Sequence, residues 1–344
     1  MRVLHAIAGG EVGGAEAFFV RLVRALAGAG IEQFVVMRPN PARAAGLAAA
    51  GVPAAEARFG GAFDLATAGA IARAGEAFRP DVMLAWMSRA ARFAARARRR
   101  APPVLAARLG GYYKLKYYQG CDHLIGNTPD IVGWIVGQGW PKDRVHFLPN
   151  FVDDAALPPI ARAAVGTPAD APVILALGRL HRNKGFDVLL HALPYVPGAV
   201  LWIAGEGPER EALMTLADEL RIADRVRFLG WRDDVAALLA AADLLCCPSR
   251  HEPLGNVVIE AWAHRRPVVA AAAAGPAWLV AAEETGLLAP VDDPSALAAA
   301  LRRLTGDPAL AARLSAAGRR AYEDRFAEAA VVARYRDFFE RIAA

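Results

Sequence analysis

Cysteine is scarce in this chain. Only Cys121, Cys246 and Cys247 occur in 344 residues, which gives neither a disulfide framework nor the spacing of a zinc site. Such sparing use fits a reducing cytosol. Long apolar runs are missing too: no stretch of 18 or more apolar residues lacks a charge, so no transmembrane helix is expected. The opening Met1-Arg-Val-Leu-His-Ala-Ile is too short for the apolar core of a secretory leader and reads as a buried first strand. Charged residues make up 22% and hydrophobic ones 55%, which excludes a disordered chain, although alanine runs such as Ala270–Ala274 dilute the second figure. Histidine is thin in the first half, where only His5, His123 and His146 occur. His5 lies inside the first strand and reads as a satisfied core or cleft-edge residue, the other two as strand-edge residues. Metal ligands are equally thin. The adjacent acids Asp153-Asp154 and Asp292-Asp293 fall at turns, where such pairs are solvated more often than ligating, so neither a metal nor another cofactor is expected.

Charge of one sign is unevenly placed. Residues 1–150 carry 19 Lys and Arg against 10 Asp and Glu, a balance of +9, whereas residues 151–344 balance at −4. An anionic partner should prefer the first half. The length suits two domains, each with its own core. Apolar runs alternate with helical patterns from end to end. Val3–Ala8, Gln33–Met37, Val82–Ala85, Val104–Ala107, His123–Gly126 and Val145–Pro149 read as strands, with helices such as Ala15–Ala29 and Leu65–Phe78 between them. A second series runs through Val173–Leu177, Val200–Ala204, Val226–Leu229, Leu244–Cys247 and Pro267–Ala271. Short strands separated by helices predict an α/β protein of two Rossmann-like, doubly wound parallel sheets. Pro158-Pro159 to Pro172 lacks periodicity and reads as a linker; beyond Pro308 the pattern is purely helical. The expected domains are 1–155, 156–322 and a C-terminal helix over 323–344 that packs back on the first. Open α/β sheets bind ligands at the carboxyl ends of their strands, which predicts a site in a cleft where the two face each other.

Two segments carry the chemistry. Glu252-Pro253-Leu254-Gly255-Asn256-Val257-Val-Ile-Glu260 sets two carboxylates eight residues apart, close to two helical turns, so that both would share one side of a helix start. The Gly255, Asn256 and Val257 amides between them would open the helix, where orphan N–H groups and the macrodipole attract phosphate. In Gly178-Arg179-Leu-His181-Arg-Asn-Lys184-Gly185, a glycine and cations follow a strand, a suitable clamp for a diphosphate. Paired carboxylates also suit glycoside hydrolysis, but a hydrolase needs no such clamp.

The ordered set of motifs resembles the donor domain of the retaining family-4 glycosyltransferases (group 1) of GT-B fold. The set runs from Gly178-Arg179…Lys184-Gly185 through Gly205-Glu-Gly207-Pro208, Val226-Arg-Phe-Leu-Gly230-Trp231, Pro248-Ser249, Glu252…Glu260 and Pro267-Val268-Val269 to Gly286-Leu-Leu288. In the first half Gly13-Gly14-Ala15-Glu16 and Pro149-Asn150-Phe-Val-Asp153 match as well. The resemblance implies a hexosyltransferase-type enzyme that moves a sugar from a nucleotide sugar, a UDP-sugar being favoured. Its acceptor would be a glycan or lipid-linked glycan of lipopolysaccharide or another surface polysaccharide. It implies that Arg179 and Lys184 stabilise the leaving diphosphate and that Glu252 holds the transferred sugar. Glu260 would hold the ribose. Gly178, Pro253, Leu254, Gly255, Asn256 and Val257 would line the donor, and Phe228, Leu229 and Gly230 would hold the base. Gly13 and Gly14 would let backbone approach the donor closely.

Two departures stand out. Relatives place a histidine after the fourth strand of the first domain; here that region reads Trp86-Met87-Ser88-Arg89, and the next strand ends Arg108-Leu-Gly110-Gly111-Tyr112-Tyr113. Ser88, Arg108, Tyr112 and Lys116 become the acceptor-side candidates. A front-side mechanism, in which the leaving phosphate takes the acceptor's proton, needs no protein base. Second, Gly275-Pro-Ala-Trp278 replaces a glycine pair followed by an acid, so that Trp278 would offer the sugar an apolar contact. The basic run Arg89…Arg92…Arg96-Ala-Arg98-Arg99-Arg100 and Tyr112-Tyr113-Lys114-Leu-Lys116-Tyr117-Tyr118 suit an anionic membrane surface. No nucleic-acid signature accompanies them. The expected location is the cytoplasm, at the inner leaflet. The alternatives are a catalytically silent nucleotide-sugar-binding protein and a nucleotide-sugar epimerase of the same fold.

Overall fold

The structure is a computed structural model, and it describes residues 1–10, 13–61, 64–98 and 103–344. Arg99 and Arg100 of the basic run therefore lie outside the described residues. Two compact units account for the chain: Met1–Phe151 with Glu328–Ala344, and Val152–Ala327.

The first unit alternates strands and helices: β1 (Arg2–Ile7), α1 (Gly14–Gly28), β2 (Glu32–Met37), α2 (Pro41–Ala49), β3 (Ala54–Glu56), α3 (Leu65–Phe78), β4 (Val82–Trp86), α4 (Met87–Ala97), β5 (Val104–Leu109), β6 (His123–Gly126), α5 (Pro129–Gly137) and β7 (Val145–Phe147). Its seven strands pair in parallel in the order β3-β2-β1-β4-β5-β6-β7. β1, β4 and β5 are buried almost throughout, as their continuous apolar runs require of a sheet covered on both faces. Helix starts follow local rules. Asn40 and Thr128 accept N–H bonds from Arg43 (2.8 Å) and Ile131 (3.1 Å), each with a proline at the first helical position.

The second unit continues with β8 (Val173–Leu177), α6 (Phe186–Ala192), β9 (Val200–Ala204), α7 (Arg210–Glu219), β10 (Val226–Gly230), α8 (Val235–Ala241), β11 (Leu244–Cys247), α9 (Asn256–Ala263), β12 (Val268–Ala271), α10 (Ala274–Leu279), β13 (Leu287–Ala289), α11 (Pro294–Gly306) and α12 (Pro308–Arg325). Its six strands are parallel in the order β10-β9-β8-β11-β12-β13. The last helix, α13 (Glu328–Ala343), belongs to the first unit, where Val331, Tyr335, Phe338 and Phe339 join Phe18, Phe19 and Leu22 of α1 in one hydrophobic cluster.

The stretch expected to be a linker is packed instead. Ile160 and Val165 lie against the second unit's core, and Arg162 donates to the Ala241 carbonyl at 3.0 and 2.8 Å and pairs with Asp243 at 2.9 Å. In both sheets strand order reverses direction once, between β1 and β4 and between β8 and β11. Carboxyl ends of strands at such switch points are the expected ligand positions of each unit.

Candidate functional site

In the second unit the loops leaving β8 and β11 are tied together. The Asn183 carbonyl accepts N–H bonds from Arg250 (2.9 Å) and His251 (3.1 Å). Arg250 also donates to the Arg182 carbonyl at 2.9 Å and forks onto Asp187, both distances 2.7 Å, and onto Asp292 at 2.5 Å. Those two carboxylates hold the guanidinium charged, raising its pKa from an already high value. The braced loops bring Lys184 Nζ to 2.5 Å from Glu252 Oε2, and Ser249 Oγ donates to the same oxygen at 3.4 Å. Arg179 stands exposed two residues beyond β8. Burial pushes the adjacent Cys247 thiol up to about 11, with the Glu252 charge adding, so the thiol stays protonated.

Most of the rest of the predicted donor set lies on loops and strand ends of the same unit. Pro253 is half-buried and Leu254 buried, leading into Gly255 and α9. Gly275 N–H donates to the Glu252 carbonyl at 2.8 Å, so the start of α10 supports the turn that carries the acid. Asn256 and Val257 form the first turn of α9, and Glu260 lies one turn further on, half-buried. The helix begins at Asn256, and Glu252 sits outside it on the loop. The two acids thus do not share a helical face as their spacing suggested; Lys184, not the helix, orients Glu252. The Gly178 turn, the Gly205 turn and the end of β10 nest against one another. Gly205, at φ 151°, leaves only 1.9 Å between a hypothetical Cβ and the Gly178 carbonyl oxygen, and its N–H donates to Gly230 at 2.7 Å. Phe228, Leu229 and Gly230 close β10, all half-buried. Trp278 meets Phe326 edge-on, with ring centroids 6.1 Å apart, and lies 4.9 Å below the Arg325 guanidinium. It therefore packs with the end of α12, at the rim of the core, where an apolar contact with the transferred sugar had been expected.

In the first unit Gly9, Gly10 and Gly13 lie against Glu16, the third residue of α1. Glu16 Oε1 accepts from Gly10 N–H at 2.8 Å, and a Cβ on Gly13 would stand 2.3 Å from Glu16 Oε2. The space at Gly13 is filled by the protein's own carboxylate; at Gly14 a Cβ would meet nothing within 4 Å among the described residues. His5 is fully buried and kept neutral, its pKa pushed down to about 4 by burial. Its Nδ1 accepts from Trp86 Nε1 at 3.3 Å while Nε2–H donates to Gln33 Oε1 at 3.0 Å. His123 and His146 pair with each other at 3.0 Å beside Phe338. Ser88 is half-buried directly after Met87, which lies in the left-handed region at φ 64° where β4 turns into α4. Arg108 is 2% exposed, donates to Tyr335 at 3.0 Å and to Asn150, and lies 4.6 Å from the Phe18 ring centroid. It is an interior charge holding α13 to the sheet, which corrects its reading as an acceptor-side group. Tyr112 is exposed, edge-on to Trp134 at 5.4 Å, and its hydroxyl donates to Asp130, which holds the phenol up at about 12. Lys116 lies 5.3 Å and Arg92 5.4 Å from the Tyr117 ring centroid, so α4 and residues 114–118 join in one basic, aromatic face.

Two family descriptions match this chain: "Glycosyl transferases group 1" over residues 171–307 and "Glycosyltransferase Family 4" over residues 12–156. The lipopolysaccharide core biosynthesis glycosyltransferase LpsD of Rhizobium meliloti (strain 1021) is 40% identical, covering 99% of this chain and 98% of its own length. The chain belongs to the group 1 glycosyltransferases. LpsE of the same organism, also named for lipopolysaccharide core biosynthesis, is 35% identical over 95% of both chains. Among solved structures, Anabaena Alr3699/HepE in complex with UDP-glucose superposes with a TM-score of 0.83 at 21% identity, covering 99% of this chain and all of that one. WaaG, a glycosyltransferase involved in lipopolysaccharide biosynthesis, superposes at 0.71 with 17% identity over 98% and 99% of the two chains. These likenesses fix the fold of the glycosyltransferase as GT-B, with two Rossmann-like parallel sheets.

Several residues that shape the site were not assigned roles from the sequence. Ser249 and Arg250 brace Glu252 and its loop, and Glu16 shapes the glycine loop. A signal existed for Glu16: it occupies the third helical position after the Gly13 cap, where an acid reaches back to orphan N–H groups.

Proposed function

We propose that the protein transfers a sugar from a UDP-sugar to a growing lipopolysaccharide core or related lipid-linked glycan on the cytoplasmic side, with retention and without a metal. The observation that carries this reading is the Lys184–Glu252 pair, held where β8 and β11 diverge and just ahead of α9. It unites a cation suited to a diphosphate with an acceptor suited to sugar hydroxyls. Relatives named for lipopolysaccharide core biosynthesis support the acceptor class, and the neighbour bound to UDP-glucose supports the donor class.

On this reading Arg179, Lys184 and the first amides of α9 meet the negative charge that grows on the leaving diphosphate, the task a metal performs elsewhere. Glu260 accepts from the ribose and Glu252 from the sugar. The bond between anomeric carbon and phosphate oxygen breaks while the acceptor oxygen attacks from the same face. The acceptor's proton passes to the departing phosphate oxygen. No histidine is then needed after β4, where Trp86, Met87 and Ser88 stand, and His5 stays a core residue. The acceptor is membrane-borne, and the basic face of the first unit docks on anionic lipid.

The test incubates the protein with UDP-, GDP- and ADP-sugars and truncated lipopolysaccharide from a strain lacking the activity. Nucleoside diphosphate release and the anomeric configuration of the product are measured. UDP release dependent on acceptor, unchanged by a chelator, with a retained anomer is the expected outcome. Absence of release with every donor would remove the reading.

A further inference from the structure

We propose that Arg250 is a positioning residue for sugar transfer: locked between Asp187 and Asp292, it fixes the Lys184 ammonium against the Glu252 carboxylate and touches no ligand itself. The inference rests on the second unit's being the nucleotide-sugar site. Arg250 lies on the loop after β11 and reaches two ways. Toward β8, Nη1 and Nη2 each donate to one oxygen of Asp187, in the first turn of α6, at 2.7 Å, and Nη1 also donates to the Arg182 carbonyl at 2.9 Å. Toward the edge of the sheet, Nε–H donates at 2.5 Å to Asp292, which follows β13, two strands from β11. The sequence suggests that Asp292 and Asp293 are alike, a solvated pair. They have separate tasks. Asp293 caps α11 by accepting from Ala296 N–H at 2.8 Å, whereas Asp292, at φ 60°, pairs with the guanidinium. The left-handed region is one that aspartate enters more readily than most residues.

The backbone closes the same junction. The Asn183 carbonyl, one residue before Lys184, accepts from the N–H groups of Arg250 and His251, directly before Glu252. A Cβ on Gly185, at φ 64°, would stand 2.2 Å from the Pro248 carbonyl oxygen, so the two loops touch with no side chain between them. Lys184 is thus flanked in sequence by Arg182 and Asp187, both held by the arginine that stands two residues before Glu252. Arg250 has no charge to spare for a diphosphate. Two carboxylates outweigh its single cation, and its contacts with Asp187, Asp292 and the Arg182 carbonyl already use four N–H groups. Lysine is no substitute here, because an ammonium is a point donor and lacks the fork that grips Asp187 while leaving Nε–H for Asp292.

The test compares the full chain with Arg250→Lys, Arg250→Ala, Asp292→Asn and the variant carrying both Arg250→Ala and Asp292→Asn. Transfer to truncated lipopolysaccharide gives kcat, with whichever of UDP-glucose, UDP-galactose and UDP-N-acetylglucosamine the parent uses best, and calorimetry gives the affinity for UDP. Both Arg250 variants are expected to lose about 10- to 100-fold in kcat, and Asp292→Asn about threefold. UDP affinity should stay within about threefold throughout, since Nζ on its flexible stem can follow a bound phosphate. The double variant should match Arg250→Ala, because members of one unit do not add. Near-parental kcat in Arg250→Lys, additive losses in the double variant, or UDP affinity falling in step with kcat overturns the positioning role while leaving the donor site standing. The Asp292 side chain is 54% exposed, and so open a pair adds little to folding. Asp292→Asn therefore decides the matter even where Arg250→Ala does not fold, and parental kcat in that variant overturns the proposal. A parent that releases no UDP from any of the three donors overturns the donor-site reading and the positioning role with it.

Discussion

Glu252 must satisfy two partners of opposite demand. It sits 2.5 Å from the lysine proposed to receive a diphosphate, so its charge both holds Lys184 in place and opposes the incoming phosphate. Glu252→Gln keeps an oxygen acceptor for a sugar hydroxyl and removes the charge. A hydrogen bond to a charged group is worth about 1.5–3 kcal/mol, so kcat is expected to fall on the order of 10- to 100-fold. UDP affinity, freed of the opposing charge, should hold or improve. Calorimetry with UDP beside steady-state kinetics checks this, and a loss of UDP affinity matching the loss of kcat would reduce Glu252 to a brace of its loop. Residues of this kind were legible in the sequence because strand, glycine and cation follow one another within a few positions. Arg108 was not. Its chemistry suits a ligand and a core alike, and only its burial among Phe18, Trp86 and Tyr335 shows which applies.

At the scale of elements, α13 depends on that same arginine. The Tyr335 hydroxyl accepts from Arg108 Nε at 3.0 Å inside the first unit's core. Tyr335→Phe removes the acceptor and leaves a buried charged donor short of a partner, a loss of about 1–3 kcal/mol. Urea unfolding should show a lower midpoint with an unchanged slope; an unchanged midpoint would mean that Asn150 and the ring faces suffice. The long strands were legible from continuous apolar runs, each bounded by turn residues. β3 and β13 were not, because three residues carry no period. Nor was the packed stretch around Arg162, whose anchor on Ala241 and Asp243 lies some 80 positions away in sequence. The start of α9 was misplaced for a related reason. Spacing alone cannot tell a loop residue held by a distant lysine from one held by its own helix.

At the scale of the whole molecule, the asymmetry of charge is what the sequence stated most plainly and the structure made local. The +9 balance of residues 1–150 includes α4 and residues 114–118, where Arg92 and Lys116 meet over Tyr117. Among the described residues no helix is long and apolar enough to cross a membrane. On the proposed function, this basic face is what docks on anionic lipid. Each basic side chain near an anionic bilayer is worth about 1 kcal/mol, which makes the combined change of Arg96, Lys114 and Lys116 to alanine worth about a 100-fold loss in vesicle affinity. The attraction acts over a Debye length of about 10 Å at 0.1 M salt, so the parent's binding should weaken steeply as salt rises. Co-sedimentation with phosphatidylglycerol-containing and purely zwitterionic vesicles measures both effects. Transfer to a water-soluble acceptor fragment should be unaffected by the Arg96 and Lys114 changes without that of Lys116, an acceptor-side candidate, which separates docking from chemistry. Binding that is equal on the two vesicle types, or unmoved by the triple change, would show that the basic face serves solubility alone and that the acceptor is reached some other way.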